Sequence, residues 1–286
     1  MLITQKRVRT FQRDQFMPLT PEQIDQFQNQ GYTVVPDMFS LREVAAMCAE
    51  LNRFKREGLL RNVATDGDGK THSTQKINLQ ICPIAPKSAF YRSLPFHLKV
   101  IDTVGQFIGN PFVFYLDQIF LKPAGQGAGT DWHQDNAYFK ISDPSKGTGM
   151  WVALHKATIA NGTLHIVPES HKNLFPHDRD PNSDHHIHCQ IDETKAIPIE
   201  LPPGGAVFFN FGIAHATRAN TTDRERAGLA LHFLRTDFIP EFAKTNRTYA
   251  HLSGPLATGG EKEYGTRIAD TWEQEVARLL SDAEKI

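Results

Sequence analysis

The first hundred residues combine helical periodicity with short polar links. Thr20 is followed by Pro21 and by a glutamine at the third helical position, which predicts a capped helix start. Gly31 predicts the end of this helix, because glycine often follows the last helical residue. A second capping box begins at Ser40 and predicts a helix through Arg56, with apolar residues along one face. Further predicted elements are a strand over 32–35, a polar loop over 58–73 and a third helix over 96–108.

From residue 112 the pattern changes to short runs of β-branched and aromatic residues, separated by Gly, Pro, Asn and Asp. Strands are predicted over 112–121, 149–154, 163–167, 206–209 and 227–234. Because no helices of comparable length alternate with these runs, we expect antiparallel sheets arranged as a sandwich or jelly roll. A last helix is predicted over 270–285 and is expected to cover one sheet face.

The composition is that of an ordinary globular protein, since 40% of the 286 residues are hydrophobic and 22% are charged. The 31 Lys and Arg residues are balanced by 32 Asp and Glu residues, which argues against a general nucleic-acid surface. No apolar stretch approaches the roughly 18 residues that a membrane-spanning helix needs. We therefore expect neither a nucleic-acid partner nor a membrane partner.

Cys48, Cys82 and Cys189 show no CxxC spacing, so neither a disulfide framework nor a thiolate zinc site is expected. Residues 1–16 lack the apolar core of a secretory signal. These two features favour a cytoplasmic protein, and the sequence makes no prediction of its oligomeric state.

The string Asp131-Trp132-His133-Gln134-Asp135 contains the first candidate chemistry. In a strand, alternate residues share a face, so His133 and Asp135 are predicted to point together and Gln134 away from them. One imidazole and one carboxylate are two of the three ligands of a 2-His-1-carboxylate site, which suits non-haem Fe(II). By itself the tripeptide His-x-Asp is weak evidence, because it also occurs among surface polar residues.

A later segment contains a further histidine and an arginine. The polar stretch 220–223 between two apolar runs predicts a hairpin, in which His215 and Arg226 lie close together on neighbouring strands. The residues that share a strand face with Arg226 are mostly small, which predicts a cavity beside the guanidinium. In such a cavity arginine binds a carboxylate with two parallel hydrogen bonds. The alternative is that Arg226 pairs with Glu225 or Asp223 at the surface.

Four motifs occur in order between residues 112 and 234: WHQD at 132–135, NGTLHIVPESH at 161–171, LPPGGAVFFNFGIAH at 201–215, and His215 followed by Arg226. With these motifs the chain resembles the phytanoyl-CoA dioxygenase family of Fe(II)- and 2-oxoglutarate-dependent oxygenases. The resemblance implies a mainly β fold, a double-stranded β-helix (cupin-like jelly roll) with N- and C-terminal helices packed on one sheet. The chain departs from the family pattern at Glu169, where a glycine is usual, in a loop expected to be structural.

The resemblance also implies the site residues. The expected iron ligands are His133, Asp135 and His215. The residues expected to contact the 2-oxoglutarate cosubstrate are Arg226 on its distal carboxylate, Thr217, Trp151, Gln118 and Asn78. Asn78 belongs to an alternating set with Lys76 and Gln80, from which one residue is expected to reach the cosubstrate or substrate.

The implied activity is that of a dioxygenase that hydroxylates a small molecule with O2 and releases succinate and CO2. Asp135 favours hydroxylation over halogenation, because related halogenases replace this carboxylate with a small residue. Nothing in the sequence marks a site for coenzyme A phosphates, so an acyl-CoA substrate is not carried over. Two alternatives are a cupin-like metal protein that does not use 2-oxoglutarate, and a catalytically silent binding module on the same fold.

We expect one oxygenase domain over 1–286. Its expected parts are a helical N-terminal part over about 1–110, a jelly-roll core over about 111–240 and a C-terminal extension with a helix over 241–286. The pocket walls are expected to come from 58–73, 76–80 and the polar insertion 177–190. His185, His186 and His188 in that insertion are expected to be loop residues and not a second metal site. Trp132 is expected to pack on the metal site or to fill the barrel mouth.

Overall fold

The computed structural model describes residues 19–245 and 248–283, so residues 1–16, considered above for a secretory signal, lie outside the described residues. The helices are α1 (Pro21–Gln30), α2 (Leu41–Arg56), α3 (Ala89–Ser93), α4 (Leu98–Ile108), α5 (Asn136–Phe139), α6 (Glu241–Lys244), α7 (Glu261–Tyr264) and α8 (Trp272–Ala283). The strands are β1 (Tyr32–Val35), β2 (Arg61–Asn62), β3 (Leu79–Ile81), β4 (Phe112–Lys122), β5 (Thr130–Gln134), β6 (Gly147–Ala153), β7 (Leu164–Ile166), β8 (Asp178–Arg179), β9 (Ile187–His188), β10 (Ile197–Ile199), β11 (Ala206–Asn210), β12 (Ala214–Thr217), β13 (Arg226–Arg235) and β14 (Ala250–His251).

Local capping chemistry sets the limits of the first two helices. The Thr20 hydroxyl accepts a hydrogen bond from the Gln23 backbone, and the Gln23 side chain accepts one from the Thr20 backbone. Gly31 ends α1 with a φ of 83°, a left-handed conformation that glycine adopts without a steric penalty. Ser40 and Glu43 form the same reciprocal cap at α2. The predicted starts and ends of both helices are therefore confirmed.

Two antiparallel sheets form the core. One has eight strands, in the order β1-β11-β6-β13-β4-β3-β2, with β14 also paired to β4. The other has four strands in the order β10-β7-β12-β5. Strands β8 and β9 form a separate hairpin. This arrangement is the double-stranded β-helix expected from the sequence.

The outer face of the eight-stranded sheet packs on the terminal helices. Its apolar side chains share one buried cluster with residues of α2, α3, α4 and α8. The buried Glu43 of α2 joins these helices, because it accepts hydrogen bonds from Lys99 at 2.9 Å and from Trp272 at 2.8 Å. The expectation that N- and C-terminal helices cover one sheet is therefore confirmed.

The predicted hairpin between His215 and Arg226 is wrong. His215 lies on β12 in the four-stranded sheet, opposite His133 on one side and Ile166 on the other. Arg226 begins β13 in the eight-stranded sheet, between β4 and β6. Both edges of β12 are already paired, so the polar residues that follow it cross to the other sheet instead of making a tight turn. The link is held by the Asn220 amide, which donates hydrogen bonds to carbonyl groups of both β4 and the link itself.

The polar segment 58–73 is more structured than its composition predicts. It contains β2, and its residues Val63 and Thr65 are fully buried. Elsewhere, the predicted strands and helices are found with ends shifted by a few residues. No helix in 19–245 or 248–283 is long and apolar enough to cross a bilayer. The division into one domain with three parts stays a prediction.

Candidate metal centre and cosubstrate pocket

The three expected iron ligands converge between the two sheets. His133 on β5 and His215 on β12 are direct cross-strand partners. Asp135 follows β5 immediately, and its Oδ1 lies 3.9 Å from His133 Nε2 and 3.8 Å from His215 Nε2. One ligand atom from each residue lies within 4.8 Å of the other two. These separations are short enough for one ion to bind all three, since metal–ligand bonds are about 2.1 Å long.

The strand alternation that placed Asp135 beside His133 is only partly right. Strand β5 ends at Gln134, and Asp135 already has helical backbone angles at the start of α5. Gln134 does point away, as predicted: its side chain binds the backbone of Asn173, Phe175 and Gly212. Asp135 therefore reaches the site from the first turn of a short helix and not from a strand.

Backbone carbonyl groups orient both imidazoles. His133 Nδ1 lies 2.8 Å from the carbonyl oxygen of Asp131, and His215 Nδ1 lies 3.0 Å from that of Ile213. A carbonyl only accepts hydrogen bonds, so each Nδ1 is the protonated nitrogen and donates. Each Nε2 then keeps its lone pair and faces the shared point, which is the arrangement that metal-binding histidines use.

The protonation states also suit a metal. Burial and the neighbouring imidazole of His215 lower the pKa of His133 to about 3, so the His133 imidazole is neutral at neutral pH. Burial opposes ionisation of Asp135, but the nearby His232 and His215 outweigh this effect and hold the pKa of Asp135 well below its usual range. Neutral imidazoles and an ionised carboxylate are the forms that bind metal ions, and two nitrogens with one oxygen fit non-haem Fe(II).

A second set of possible ligands has a structural explanation. Glu43, His97 and Glu273 also lie within 4.8 Å of one another. Glu43, however, is already compensated by the Lys99 ammonium and by the Trp272 indole. This set therefore holds the helices together and is not a candidate metal centre.

His232 lies beside the metal ligands, and no role was predicted for it. Its Nε2 is 3.3 Å from Asp135 Oδ2. The other carboxylate oxygen, Oδ1, is the one that lies nearer to His133 and His215. The side chain is buried and is flanked by the rings of Phe139 and Phe211. The sequence places His232 on the same strand face as Arg226, but only the folded structure brings it to Asp135.

Arg226 is fully buried and points into the interior, whereas a cavity beside its guanidinium stays a prediction. Its Nε lies 3.4 Å from the Asn161 carbonyl oxygen, and its Nη2 binds the Gly162 carbonyl. Nη1 has no hydrogen-bond partner among the described residues. The alternative of a surface pair with Glu225 or Asp223 is wrong, because Arg226 is fully buried and Glu225 pairs with Lys55 at 2.7 Å.

Trp151 lies next to Arg226, and its contact with a cosubstrate stays a prediction. Its ring stacks against the guanidinium of Arg226, whose central carbon is 5.5 Å from the ring centroid. Gly228 leaves space for this ring, because a Cβ at Gly228 would overlap it. The space that Gly228 leaves beside Arg226 is therefore occupied by an aromatic side chain from the neighbouring strand.

The remaining predicted cosubstrate residues lie near one another. The Thr217 hydroxyl accepts a hydrogen bond from the Thr130 backbone at 3.1 Å, and the Asn78 amide donates to the Thr130 hydroxyl at 3.2 Å. Gln118 accepts a hydrogen bond from Gln80 at 2.8 Å. Asn78 Oδ1 is buried without a hydrogen-bond partner among the described residues. Lys76, the third member of the alternating set, is exposed, and the contacts of Asn78, Thr217 and Gln118 with a cosubstrate stay predictions.

Two segments far apart in sequence lie together beside the metal centre, and we call them the cover: residues 61–73 and the insertion 178–188. Arg61 forms an ion pair with Asp184, and the Thr65 backbone donates to the carbonyl of Asn182. On the site side, the Ile187 backbone donates to the Tyr138 hydroxyl at 2.9 Å. The ring of Tyr138 is 5.9 Å from that of His133. The insertion therefore adjoins the metal centre, and its role as a pocket wall stays a prediction.

Trp132 does not pack on the metal site or in the barrel mouth. It alternates with His133 and lies on the other face of the four-stranded sheet, in a cluster with Val167 and Cys189. Its indole donates a hydrogen bond to Glu193 at 2.9 Å. The expectation for Trp132 was wrong because adjacent residues of a strand face opposite sides.

The fold and this site together define a jelly-roll protein of the non-haem iron oxygenase class. The family model described as "Phytanoyl-CoA dioxygenase (PhyH)" matches residues 27–228. The chain therefore belongs to the phytanoyl-CoA dioxygenase family of Fe(II)- and 2-oxoglutarate-dependent oxygenases.

Individual relatives agree with this assignment. The "Phytanoyl-CoA dioxygenase" of Arabidopsis thaliana is 25% identical over 267 residues, which are 80% of this chain and 93% of that protein. The "Phytanoyl-CoA dioxygenase 1" of Oryza sativa subsp. japonica is 34% identical over 141 residues, which cover 48% of this chain and only 49% of that protein. The crystal structure of the epimerase SnoN with Fe3+, alpha ketoglutarate and nogalamycin RO has the same fold. It has a TM-score of 0.62 at 20% identity, and the match covers 82% of this chain and 95% of that one.

Proposed function

We propose that this protein is a hydroxylase that transfers one oxygen atom from O2 to a small-molecule substrate. The observation that supports hydroxylation most is the carboxylate of Asp135 at the metal site, where related halogenases have a small residue. The buried guanidinium of Arg226 supports the use of 2-oxoglutarate. A metal protein without this cosubstrate does not account for an unneutralised cation inside the barrel. A silent binding module does not account for three intact metal ligands at one point.

Each residue at the proposed site has a defined task. His133 and His215 would hold iron through Nε2, and Asp135 would hold it through a carboxylate oxygen. Arg226 would bind the carboxylate of 2-oxoglutarate that lies far from the metal, with Trp151 fixing the plane of its guanidinium. Bound iron and 2-oxoglutarate supply the oxidising chemistry, in which O2 is consumed, 2-oxoglutarate becomes succinate and CO2, and the substrate gains one oxygen atom. The cover would exclude water while this takes place.

Hydroxylation is tested with a panel of small metabolites, Fe(II), 2-oxoglutarate and isotopically labelled O2. We expect one class of compound to accelerate succinate release and to gain one labelled oxygen atom, as measured by mass spectrometry. A product that forms with succinate but contains no labelled oxygen would assign the protein to an epimerase, a cyclase or another oxidation. Coenzyme A thioesters form one arm of the panel, because the family is described by a coenzyme A thioester substrate.

Arg226→Ala tests the use of 2-oxoglutarate directly. We expect it to weaken 2-oxoglutarate binding by at least 100-fold, since a buried charge-assisted contact contributes about 3 kcal/mol. Fe(II) binding should change little. Anaerobic optical titration of the Fe(II)–2-oxoglutarate complex measures both, and Arg224→Ala, an exposed arginine on the same link, is the matched control. Equal 2-oxoglutarate affinities in the two variants would refute the assignment of Arg226.

A further inference from the structure

A second cation lies next to Arg226 inside the barrel. Lys122, the last residue of β4, is the direct cross-strand partner of Arg226, the first residue of β13. Direct partners on antiparallel strands point to the same side of a sheet, with Cβ atoms about 4.5–5.5 Å apart. Lys122 is 1% exposed and Arg226 is 0% exposed. Two buried cationic side chains of this sheet therefore enter the same end of the interior.

The protein neutralises neither charge. The Lys122 ammonium donates to the Ala128 carbonyl, and the Arg226 guanidinium donates to the carbonyls of Asn161 and Gly162. These partners are neutral, and one guanidinium nitrogen, Nη1, is buried with no partner among the described residues. Within 19–245 and 248–283, no carboxylate forms an ion pair with either side chain. Two buried donors thus remain available at one place for an acceptor from outside the protein.

Such a pair is costly without an anion. Burial, together with the charge of Arg226, lowers the pKa of Lys122 well below its usual range, and burial lowers the pKa of Arg226 to about 9. Both shifts mean that the folded protein disfavours two positive charges at this end of the barrel. An anion placed between them reverses this effect, so the structure is suited to bind one.

We propose that Lys122 is a second binding residue for the distal carboxylate of 2-oxoglutarate, which it would hold together with Arg226. This inference rests on the proposed function. It assigns the two oxygens of that carboxylate to two different cations, one on each of two adjacent strands. A cosubstrate with a carboxylate at both ends is then selected over a 2-oxo acid that has only one.

Lys122→Met tests the inference, because methionine keeps most of the length of the side chain and removes the charge. The variant is titrated anaerobically, in its Fe(II) form, with 2-oxoglutarate and separately with 2-oxobutyrate, which lacks the distal carboxylate. We expect the dissociation constant for 2-oxoglutarate to rise at least tenfold and that for 2-oxobutyrate to stay within twofold of the wild-type value. Lys156→Met, at an exposed lysine after β6, is the control and should change neither constant.

Two outcomes would overturn the inference: unchanged 2-oxoglutarate binding in Lys122→Met, or equal weakening for both oxo acids. The second outcome would mean a general loss of pocket structure. Lys122→Gln, which keeps a polar side chain, is measured in parallel, so that a folded variant is available if the methionine variant does not fold. Failure of the proposed function looks different, because the wild-type protein would then not bind 2-oxoglutarate at all.

Discussion

The two faces of strand β13 have opposite compositions, although their residues alternate along one chain segment. The outer face presents Leu229, Leu231 and Phe233 to the terminal helices in the main apolar cluster. The inner face presents Arg226, Gly228, Ala230 and His232 to the barrel interior. Every one of these residues is buried, so burial alone does not distinguish them. The outer face stabilises the fold by excluding water from apolar surface, whereas the inner face keeps space and charge for ligands.

Leu229→Ala, on the outer face, should cause the largest loss of unfolding free energy. Leu229 is 0% exposed, and a leucine-to-alanine change at such a position costs about 2–5 kcal/mol of unfolding free energy. Urea unfolding measures this loss, with Leu256→Ala at an exposed leucine as the control. The folded fraction should bind 2-oxoglutarate normally, and a large loss of affinity would mean that the two faces are not separate in function.

Gly228→Ala tests whether the small inner residues are needed for the ligand pocket. The added Cβ would overlap the ring of Trp151, and overpacking of this kind costs about 1–3 kcal/mol. We expect lower stability together with weaker 2-oxoglutarate binding, because Trp151 must move away from Arg226. Adding Trp151→Phe should restore part of the stability, since the smaller ring leaves room. If Gly228→Ala alone has wild-type stability and wild-type affinity for 2-oxoglutarate, this account is contradicted.

His232 should affect the metal rather than the fold. His232→Leu removes the group beside Asp135 Oδ2, and loss of such a partner to a metal ligand typically lowers metal affinity by about 10- to 100-fold. His232→Gln keeps a donor and should recover most of the affinity. Anaerobic Fe(II) titration gives the affinity, and the absorption band of the Fe(II)–2-oxoglutarate complex reports the ligand geometry. Equal affinity and an unchanged band in the leucine variant would rule out a positioning role.

The smallest expected effect is a loss of unfolding free energy at low pH. It comes from the barrel interior and not from the outer face. Because His133 has a pKa of about 3 when folded, it stays neutral at pH 5.5 while an unfolded histidine takes up a proton. The metal-free protein should therefore lose about 1 kcal/mol of unfolding free energy between pH 6.5 and 5.5 from this residue alone. Urea unfolding of wild type and of His133→Gln at both pH values measures the difference. If both proteins lose the same amount, His133 is not the source.

The metal ligands were predictable because local sequence placed two of them and an ordered set of motifs supplied the third. His133 and Asp135 are two positions apart, which is enough to bring them together in a strand or in the turn that follows it. Helix ends were predictable for a similar reason, since the cap at Thr20 involves residues only three positions apart. Local chemistry of this kind can be read without knowledge of the fold.

What the sequence missed depends on long-range pairing. Lys122 and Arg226 are partners only because β13 lies between β4 and β6, and no local pattern gives that register. The same lack of information produced the wrong hairpin at 220–223, where a polar link between two sheets looks like a turn between paired strands. His232 was seen on the correct face, but its contact with Asp135 crosses from one sheet to the other.

Glu169 illustrates a departure from the family pattern that the backbone explains. Its φ is 64°, in the left-handed region that favours the glycine usual at this position. The loop keeps this conformation with a glutamate because the Glu169 backbone donates to the Gln30 carbonyl at 2.9 Å. This geometry agrees with a structural role for the loop. That role stays a prediction.

The cover has a consequence for engineering and for divergence within the family. Its two parts are over a hundred residues apart in the chain, yet each supplies backbone partners to the other at Thr65 and Asn182. Grafting the insertion from a relative without the matching stretch after β2 would leave these partners unmet. To change substrate specificity, both segments of the cover should therefore be replaced together. A chimaera that replaces only one of them is expected to lose the contacts between them.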